Sequence, residues 1–436
     1  MSTYEKIYEH ICSLKIIDTH EHLPAFEKLR DRETDVLKEY LTHYFNCDLI
    51  SSGLSEEEFE KAVNCSLPLM ERWKLVEPYW ELCRYTGYGR SLDIAARDLY
   101  GCGPITGDTI EELNEKFLES LKEGHYRKVL KEKSKIAVSL LHNVSKVQDK
   151  IVFTSNIESD PLYFRNVYPI DGHVFPQEID DIQRIAQEAG IPVSSCTDWL
   201  EAAEKCMDNA LEHGAVGFKS ALAYQRPLSY ESAPFYKAEE EFNRLLQFSH
   251  MKTYLPSAFQ TSKEFQDYMM HFILGYADKK GLTVQFHTGL QEGNGNLIYH
   301  SDPTLLSPLF LRYRNVRFDL FHMGYPYHHL VSAPAKNFPN VYIDMCWAHI
   351  ISPEASINAL EEWLDSVPIN KISAFGGDYL FVDGVYGHQY LARENVAKAL
   401  TRKIEKGAMD PDTAKMISDK LFYHNPKELF QLDISE

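Results

Sequence analysis

The chain has 436 residues, of which 44% are hydrophobic and 25% charged, and its formal net charge at pH 7 is −19. This composition is ordinary for a globular protein with a substantial core. The acidic balance argues against a nucleic-acid partner, since binding phosphates requires a surface rich in lysine and arginine. It leaves an anionic small-molecule substrate open, because binding depends on the local field of the pocket.

The sequence also carries signals about the cellular compartment. Its eight cysteines are scattered without a Cys-x-x-Cys pair, which is typical of reduced thiols. Glu5 and Glu9 precede any apolar core at the N-terminus, and no apolar run approaches the roughly 20 residues of a membrane span. We therefore expect a cytoplasmic protein without a signal peptide and without a membrane partner.

The first predicted strand ends in two histidines. Apolar residues at helical spacing predict a helix over residues 3–14, which leads into the run IIDTHEH at 16–22. Alternate side chains of a strand leave on the same face, so His20 and His22 can hold one metal ion.

The composition changes over residues 24–134, where long polar and aromatic helices predominate. Ser55 and Glu58 have the spacing of a capping box at one helix start. Because the strand with the two histidines precedes this block, we interpret it as a helical insertion after strand 1, within a single domain of residues 1–436. Two roles for the insertion stay open: a lid over the mouth of a site, or a subunit contact in a homo-oligomer.

Strands then alternate with helices of 10 to 20 residues, which favours parallel βαβ units closed into a distorted (β/α)8 barrel. Three of these runs end in a metal-preferring side chain, namely His287, His322 and Asp378. In such barrels the carboxyl ends of the strands form the active-site face. The strand candidates are residues 136–141, 151–154, 166–170, 215–219, 282–287, 316–321, 341–344 and 371–375.

Five motifs resemble the amidohydrolase superfamily of metal-dependent enzymes, in the order usual for that superfamily, and within it the branch of amidohydrolase 2 and uronate isomerases. They are DTHEH at 18–22, FKSALAY at 218–224, VQFHTG at 284–289, FHMGYP at 321–326 and FGGD at 375–378. The resemblance implies a distorted (β/α)8 barrel that binds one or two divalent ions. It implies as metal-site residues His20, His22, Lys219, His287, His322 and Asp378.

These side chains suggest a chemistry. Imidazoles with a carboxylate suit Zn²⁺, and Mn²⁺, Fe²⁺ or Ni²⁺ fit the same set. A catalytic ion lowers the pKa of bound water from about 15.7 towards about 7. Asp378 could orient that water and move its proton to the leaving group. His322 could bind a second ion or polarise the scissile carbonyl.

Lys219 decides between one and two ions. Resembling enzymes with two metals use a lysine at this position, carboxylated by CO₂, to bridge the ions. A free lysine would instead attract a substrate carboxylate or form a structural salt bridge, and these alternatives stay open.

Four further residues are predicted to meet the substrate. Tyr224 and Arg226 follow strand 4, where a guanidinium can pair with a carboxylate in bidentate fashion. His388 and Arg393 follow strand 8. We therefore expect an anionic small-molecule substrate.

The leading hypothesis is a metal-dependent hydrolase that cleaves an amide or related bond of a small carboxylate-bearing metabolite. The segments FKSALAYQR and VQFHTGL are most similar to amidohydrolase domains related to those fused to glutamine-synthetase-like proteins. A uronate isomerase is an alternative, although Tyr379-Leu380 stands where those enzymes share an Asp-Ser-Arg run. A mononuclear decarboxylase and a non-catalytic ligand-binding barrel are the others. The last would be expected to have lost metal ligands, and the sequence retains all of them.

Overall fold

The computed structural model describes residues 1–142, 145–147, 150–152, 158–176, 179–249 and 261–434. Its strands, numbered in chain order, are β1 Ile16–Glu21, β2 Ile136–Leu141, β3 Ser145–Val147, β4 Lys150–Val152, β5 Phe164–Asn166, β6 Tyr168–Pro169, β7 Phe218–Ser220, β8 Thr283–Phe286, β9 Arg317–Leu320, β10 Val341–Asp344 and β11 Ile372–Ser373.

The α-helices of the described residues connect these strands. They are α1 Thr3–Ser13, α2 Val36–Tyr40, α3 Phe45–Ser51, α4 Glu56–Ala62, α5 Leu69–Cys83, α6 Gly87–Tyr100, α7 Ile110–Ser120, α8 Asp171–Val174, α9 Ile179–Ala189, α10 Cys196–Glu212, α11 Phe235–Ser249, α12 Lys263–Lys280, α13 Ser307–Arg312, α14 His328–Asn337, α15 Ala348–Ile351, α16 Pro353–Ser366, α17 Val382–Glu405, α18 Pro411–Asp419 and α19 Asn425–Leu429. Short π-helices lie at Arg127–Lys133 and Lys420–His424. Among the described residues, no helix is both long enough and apolar enough to cross a bilayer.

The strands form the parallel barrel that the alternating pattern predicts. β1, β2 and β5 make one parallel set, and β6 to β11 make a second in chain order. The third barrel position is shared by β5 and β6 on either side of Val167, whose N–H donates to the carbonyl of Leu141 at 2.9 Å. The last position meets the first, because Thr19 N donates to Phe375 O at 3.1 Å and Asp378 N donates to His20 O at 2.8 Å. The predicted fold class is confirmed.

One predicted strand does not join the barrel. The run at 151–154 is described only as far as Val152, and Phe153 and Thr154 lie outside the described residues. The described part, β4, pairs antiparallel with β3. The third barrel position is already filled by β5 and β6, and the apolar, β-branched character of this run does not distinguish a barrel strand from such a pair.

The helices α2 to α7 lie between β1 and β2. The predicted capping box is confirmed at the start of α4, where the Ser55 hydroxyl accepts from Glu58 N at 3.3 Å. The block shares one continuous hydrophobic core with the barrel, and α6 packs on α17. At this junction the buried Asp383 of α17 accepts hydrogen bonds from Tyr100 at 2.6 Å and from the His125 ring at 2.8 Å.

Candidate metal centre

The two histidines of the first strand meet at the carboxyl end of the barrel. β1 is buried along its whole length, His20 is its penultimate residue, and His22 follows its end. The Nε2 atoms of the two rings lie 3.2 Å apart. The ring of His22 is held by its other nitrogen, since Nδ1 donates to the carbonyl of His142 at 3.1 Å. This tautomer leaves the Nε2 lone pair of His22 directed at the space shared with His20.

Asp378 reaches the same space from the last strand. Its Oδ1 lies 3.5 Å from Nε2 of His20 and 3.2 Å from Nε2 of His22. The glycine before it allows this approach, because a Cβ at Gly377 would lie 1.7 Å from Oε1 of Glu21. The second glycine of the FGGD motif therefore reflects close packing of the last strand on the first.

The second pair of histidines is equally close. His322 Nε2 and His287 Nδ1 are 2.9 Å apart. Their other nitrogens lie next to backbone carbonyls, His322 Nδ1 at 3.1 Å from Cys346 O and His287 Nε2 at 2.8 Å from Leu290 O. If each carbonyl takes the ring proton, two lone pairs face each other, an arrangement that suits a shared cation.

Backbone conformation sets these residues apart. Four residues that meet at the site have positive φ, which is rare for residues other than glycine. The values are 65° for Tyr44, 62° for His322, 61° for Trp347 and 57° for Asp378. Strained backbone of this kind concentrates at functional sites, where the surrounding structure maintains it.

Burial sets the charge state of the cluster. Burial, the largest influence, lowers the pKa of His20 and of His287 well below the usual value, and that of His322 to about 3. For Asp378 burial acts to raise the pKa, but the surrounding imidazoles, His20 foremost, hold it well below its usual value. Neutral imidazoles beside an ionised carboxylate are the protonation states in which these groups bind a metal ion.

Lys219 lies below this cluster at 2% exposure. Its Nζ is 3.6 Å from the centroid of the Phe321 ring and has no hydrogen-bond partner among the described residues. Burial lowers the pKa of this amine to about 8. The structure thus places Lys219 inside the barrel near the cluster, where no described residue forms with it the salt bridge expected of a purely structural lysine.

Two further potential ligands were not predicted from the sequence. One ring nitrogen from each of His20, His22 and His142 lies within 4.8 Å of the other two, and the same limit holds for one ligand atom from each of His322, Cys346 and Asp378. A signal for His142 was present, since it directly follows the predicted strand at 136–141. Cys346, two residues after β10, had no comparable signal.

The insertion supplies part of the wall around Asp378. Tyr44, at the start of α3, donates its hydroxyl to the carbonyl oxygen of Asp378 at 2.6 Å. Its ring stacks on Trp347 with centroids 4.5 Å apart. His43 is buried beside Tyr44, with ring centroids 3.7 Å apart. Sequence reasoning missed both residues, because nothing local marks which side chains of a long helical block face the barrel.

The four residues predicted to meet the substrate differ in where the structure places them. The ring of Tyr224 lies 4.7 Å from that of His287, and its hydroxyl accepts from Glu292 N at 2.9 Å, so this residue is at the site. His388 lies behind the site, where its Nδ1 donates to Gly377 O at 3.0 Å.

The structure does not bring the two arginines to the cluster. Arg226 pairs with the buried Asp267 at 2.6 Å and donates to Gln266 at 3.0 Å. Arg393 donates to the carbonyls of Leu14 and Ser134 at 3.2 and 2.8 Å. Both arginine side chains are buried and their guanidinium groups are bonded to protein groups, which accounts for their position away from the cluster.

Comparison with known proteins gives one curated relative and several solved structures. The protein fluG of Emericella nidulans is 25% identical over 236 residues, which is 52% of this chain and 27% of that protein. The chain therefore matches only about a quarter of the length of that relative.

The structural likenesses extend over nearly the whole chain. The uronate isomerase of Thermotoga maritima superposes with a TM-score of 0.78 at 16% identity, covering 98% of this chain and 97% of that one. The glucuronate isomerase of Caulobacter crescentus gives 0.78 at 18% identity, covering 100% and 95%. A Lactobacillus casei protein proposed to be a metal-dependent hydrolase gives 0.67 at 17% identity, covering 98% and 97%. At these identities the likenesses show the fold alone. The amidohydrolase family profile matches residues 179–432, more than half of the chain, and the protein belongs to that family.

Proposed function

We propose that this protein is a metal-dependent hydrolase that cleaves an amide or related bond of a small carboxylate-bearing metabolite in the cytoplasm. The observation that supports this most directly is the position of Asp378, whose carboxylate lies 3.2 and 3.5 Å from two imidazoles. An ionised carboxylate beside neutral imidazoles combines a cation site with a group that can move protons.

The residues fit a divalent ion, with Zn²⁺ as the first candidate and one or two ions as the range. His20, His22 and Asp378 would hold it, and the pair His287 and His322 offers a second position. The spacing of 3.2 Å between the strand 1 nitrogens is close to the roughly 3.3 Å expected for two ligands of one tetrahedral zinc ion. When bound, such an ion supplies Lewis acidity and lowers the pKa of water.

Asp378 would act on the protons of the reaction. Its carboxylate faces the imidazoles. The backbone carbonyl of the same residue accepts a hydrogen bond from the Tyr44 hydroxyl, which helps to fix the position of Asp378. In hydrolysis it would take a proton from the attacking water and deliver it to the leaving nitrogen, so one residue serves as base and then as acid.

The other residues of the site would bind and orient the substrate. The Nδ1 atom of His322 lies 3.8 Å from Oδ2 of Asp378. In the tautomer that carries its proton on Nε2, the ring could donate to the scissile carbonyl. Tyr224 presents a ring that is 39% exposed beside His287, and this ring would pack against the substrate and exclude water from it. Tyr44 and Trp347 are buried, and their stacked rings would support the backbone at Asp378.

A uronate isomerase is the second candidate. It is supported by the likeness in fold to two such enzymes over 95% or more of each chain, helical insertion included. Against it, Arg226 and Arg393 are engaged in buried structural contacts, and Tyr379 and Leu380 follow Asp378 without an arginine. A sugar acid would therefore need another cation for its carboxylate, and Lys219 is the buried candidate.

The test is a matched substrate screen on metal-analysed protein. Native mass spectrometry first counts the ions per chain and detects any CO₂ adduct on Lys219. N-acyl amino acids and γ-glutamyl compounds are then assayed for amine release, and glucuronate and galacturonate for isomerisation, with Asp378→Asn as the inactive control. Amine release abolished in the control supports a hydrolase. Turnover of uronates alone would overturn the hydrolase assignment in favour of the isomerase. A folded protein that neither contains nor rebinds metal would exclude both functions.

A further inference from the structure

The second barrel strand ends beside the first at the level of the metal-binding histidines. β2 pairs in parallel with β1, with Leu141 opposite Glu21. The next residue, His142, donates its backbone N–H to the carbonyl of Glu21 at 2.9 Å. The last hydrogen bond of this ladder therefore sets His142 next to the residue that separates His20 from His22.

The side chain of His142 lies in the same space as the other two rings. It is 4% exposed, and its ring centroid is 5.4 Å from that of His20 and 5.1 Å from that of His22. Each of the three rings offers a nitrogen within 4.8 Å of the others. A contraction of at most about 1.5 Å would bring all of them to the spacing of ligands around one ion.

The main chain of His142 also directs a neighbouring ligand. Its carbonyl accepts the Nδ1 proton of His22 at 3.1 Å, which leaves Nε2 of His22 as the metal-binding nitrogen. One residue of β2 thus orients the ring of His22 and places its own ring beside it.

His287, the ligand expected from strand 5, is engaged on the other side of the site. Its Nδ1 lies 2.9 Å from His322, and its Nε2 lies 2.8 Å from Leu290 O. On the strand 1 side, His20 and His22 therefore lie close both to His142 and to Asp378.

We propose that the ring of His142 is a protein ligand of one divalent ion that is also held by His20, His22 and Asp378. This inference rests on the proposed metal-dependent function and specifies its metal centre. The protein would supply three nitrogen ligands and one carboxylate, and an open position would serve water or substrate. His287 and His322 then remain available as an imidazole pair for the substrate.

The first measurement is metal affinity in matched variants. Chelator-treated protein is titrated with Zn²⁺ in competition with a chromophoric chelator, for wild type, His142→Asn, His287→Asn and His20→Ala. We expect His142→Asn and His20→Ala to weaken Zn²⁺ binding by at least about 10-fold. A loss of this size is found even when the replaced residue only hydrogen-bonds to a metal ligand, so loss of a ligand should cost at least as much. We expect His287→Asn to retain the tightest Zn²⁺ site of the wild type, because the His287 ring is paired with His322 rather than with the strand 1 histidines.

The second measurement is the visible spectrum of the Co²⁺ form, whose absorption rises as the coordination number falls. Replacing a ligand of a five-coordinate ion should strengthen the bands, so His142→Asn should absorb more strongly per bound Co²⁺ than wild type. X-ray absorption of the Zn²⁺ form of His287→Asn should still count three imidazoles. Because this variant keeps His142, the measurement tests the role of His142 even if substitutions at His142 prevent folding.

The outcomes separate the two proposals. Unchanged Zn²⁺ affinity and an unchanged Co²⁺ spectrum in folded His142→Asn, or only two imidazoles in His287→Asn, would overturn the role of His142. In that case, loss of metal in His20→Ala would leave the metal-dependent function intact. Retention of wild-type affinity in His20→Ala would contradict the metal centre itself.

Discussion

The site is built from two regions that differ in kind, the carboxyl ends of the barrel strands and the helical insertion. The strand ends supply charge and metal affinity through His20, His22 and Asp378, each placed by hydrogen bonding between neighbouring strands. The insertion supplies an aromatic wall through Tyr44, whose ring lies on Trp347 and whose hydroxyl holds the backbone of Asp378. The difference suggests a division of roles: the barrel provides the reaction and the insertion provides the surroundings in which it occurs.

The strongest test of this division is Asp378→Asn. The substitution keeps the size of the side chain but removes the charge, so proton transfer is lost and activity should fall by about 10² to 10⁴-fold. Steady-state kinetics on the metal-loaded variant measure it. Glu57→Gln, on the exposed face of α4, is the control that should retain full activity. An Asp378→Asn enzyme with near wild-type kcat would contradict the assignment of the reaction to the barrel.

A second test concerns an arginine that lies near the site in sequence and away from it in space. Arg226→Gln breaks a buried ion pair with Asp267 and should destabilise the protein by about 3–5 kcal/mol. Denaturant unfolding measures the loss, with the exposed Arg314→Gln as control. If Arg226 contacts substrate instead, the variant will raise KM for carboxylate-bearing substrates while stability stays near that of wild type.

The junction between the regions is tested by Asp383→Asn. It removes the carboxylate that accepts the hydrogen bond from the His125 ring, and we expect a loss of about 2 kcal/mol at neutral pH. The pKa of Asp383 is lowered in the folded protein: burial opposes this, but the bonds from His125 prevail. A depressed carboxyl pKa stabilises the fold above the unfolded value of about 3.9 and loses that contribution as the pH falls below it.

The wild type and Asp383→Asn should therefore converge in stability below about pH 4. Thermal unfolding across pH 3 to 8 measures this. A difference that stays constant over the whole range would show that the carboxylate charge plays no part in joining the insertion to α17.

The smallest expected effect belongs to Tyr44→Phe. It deletes one hydrogen bond to the carbonyl of Asp378 and keeps the stacked ring, so stability should fall by about 1 kcal/mol. Metal affinity should be unchanged and kcat should fall modestly, because the backbone at Asp378 is less firmly held. Tyr299→Phe, at an exposed tyrosine, is the control. A large loss of metal from Tyr44→Phe would mean that the insertion takes part in the metal centre directly.

Sequence reasoning reached the fold and the strand ends because both follow from short-range regularities. Alternation along β1 places His20 and His22 on one face, and parallel pairing brings strand ends such as that of His322 to one edge. The same rule would have found His142, which also follows a predicted strand. The ligand roles themselves stay predictions until metal is measured.

The rest depended on contacts between distant parts of the chain. A sequence does not reveal that the guanidinium of Arg393 will donate hydrogen bonds to backbone carbonyls such as that of Ser134, 259 residues earlier. Nor does it reveal which residue of a helical block will rest on Asp378, as Tyr44 does. Long side chains and long insertions were thus the least predictable parts, because many partners can satisfy them.

The seam between the first and last strands has a consequence for assembly. Its contacts join residues 358 positions apart. Backbone hydrogen bonds connect the two strands, and both strands contribute groups proposed to hold the ion. An ion bound there would act as a cross-link between the two ends of the chain. By linkage it would stabilise the folded state by a free energy that grows with the logarithm of its affinity. The apo protein should therefore open first along this seam, with amide exchange at Thr19 and Asp378 slowed when metal is added.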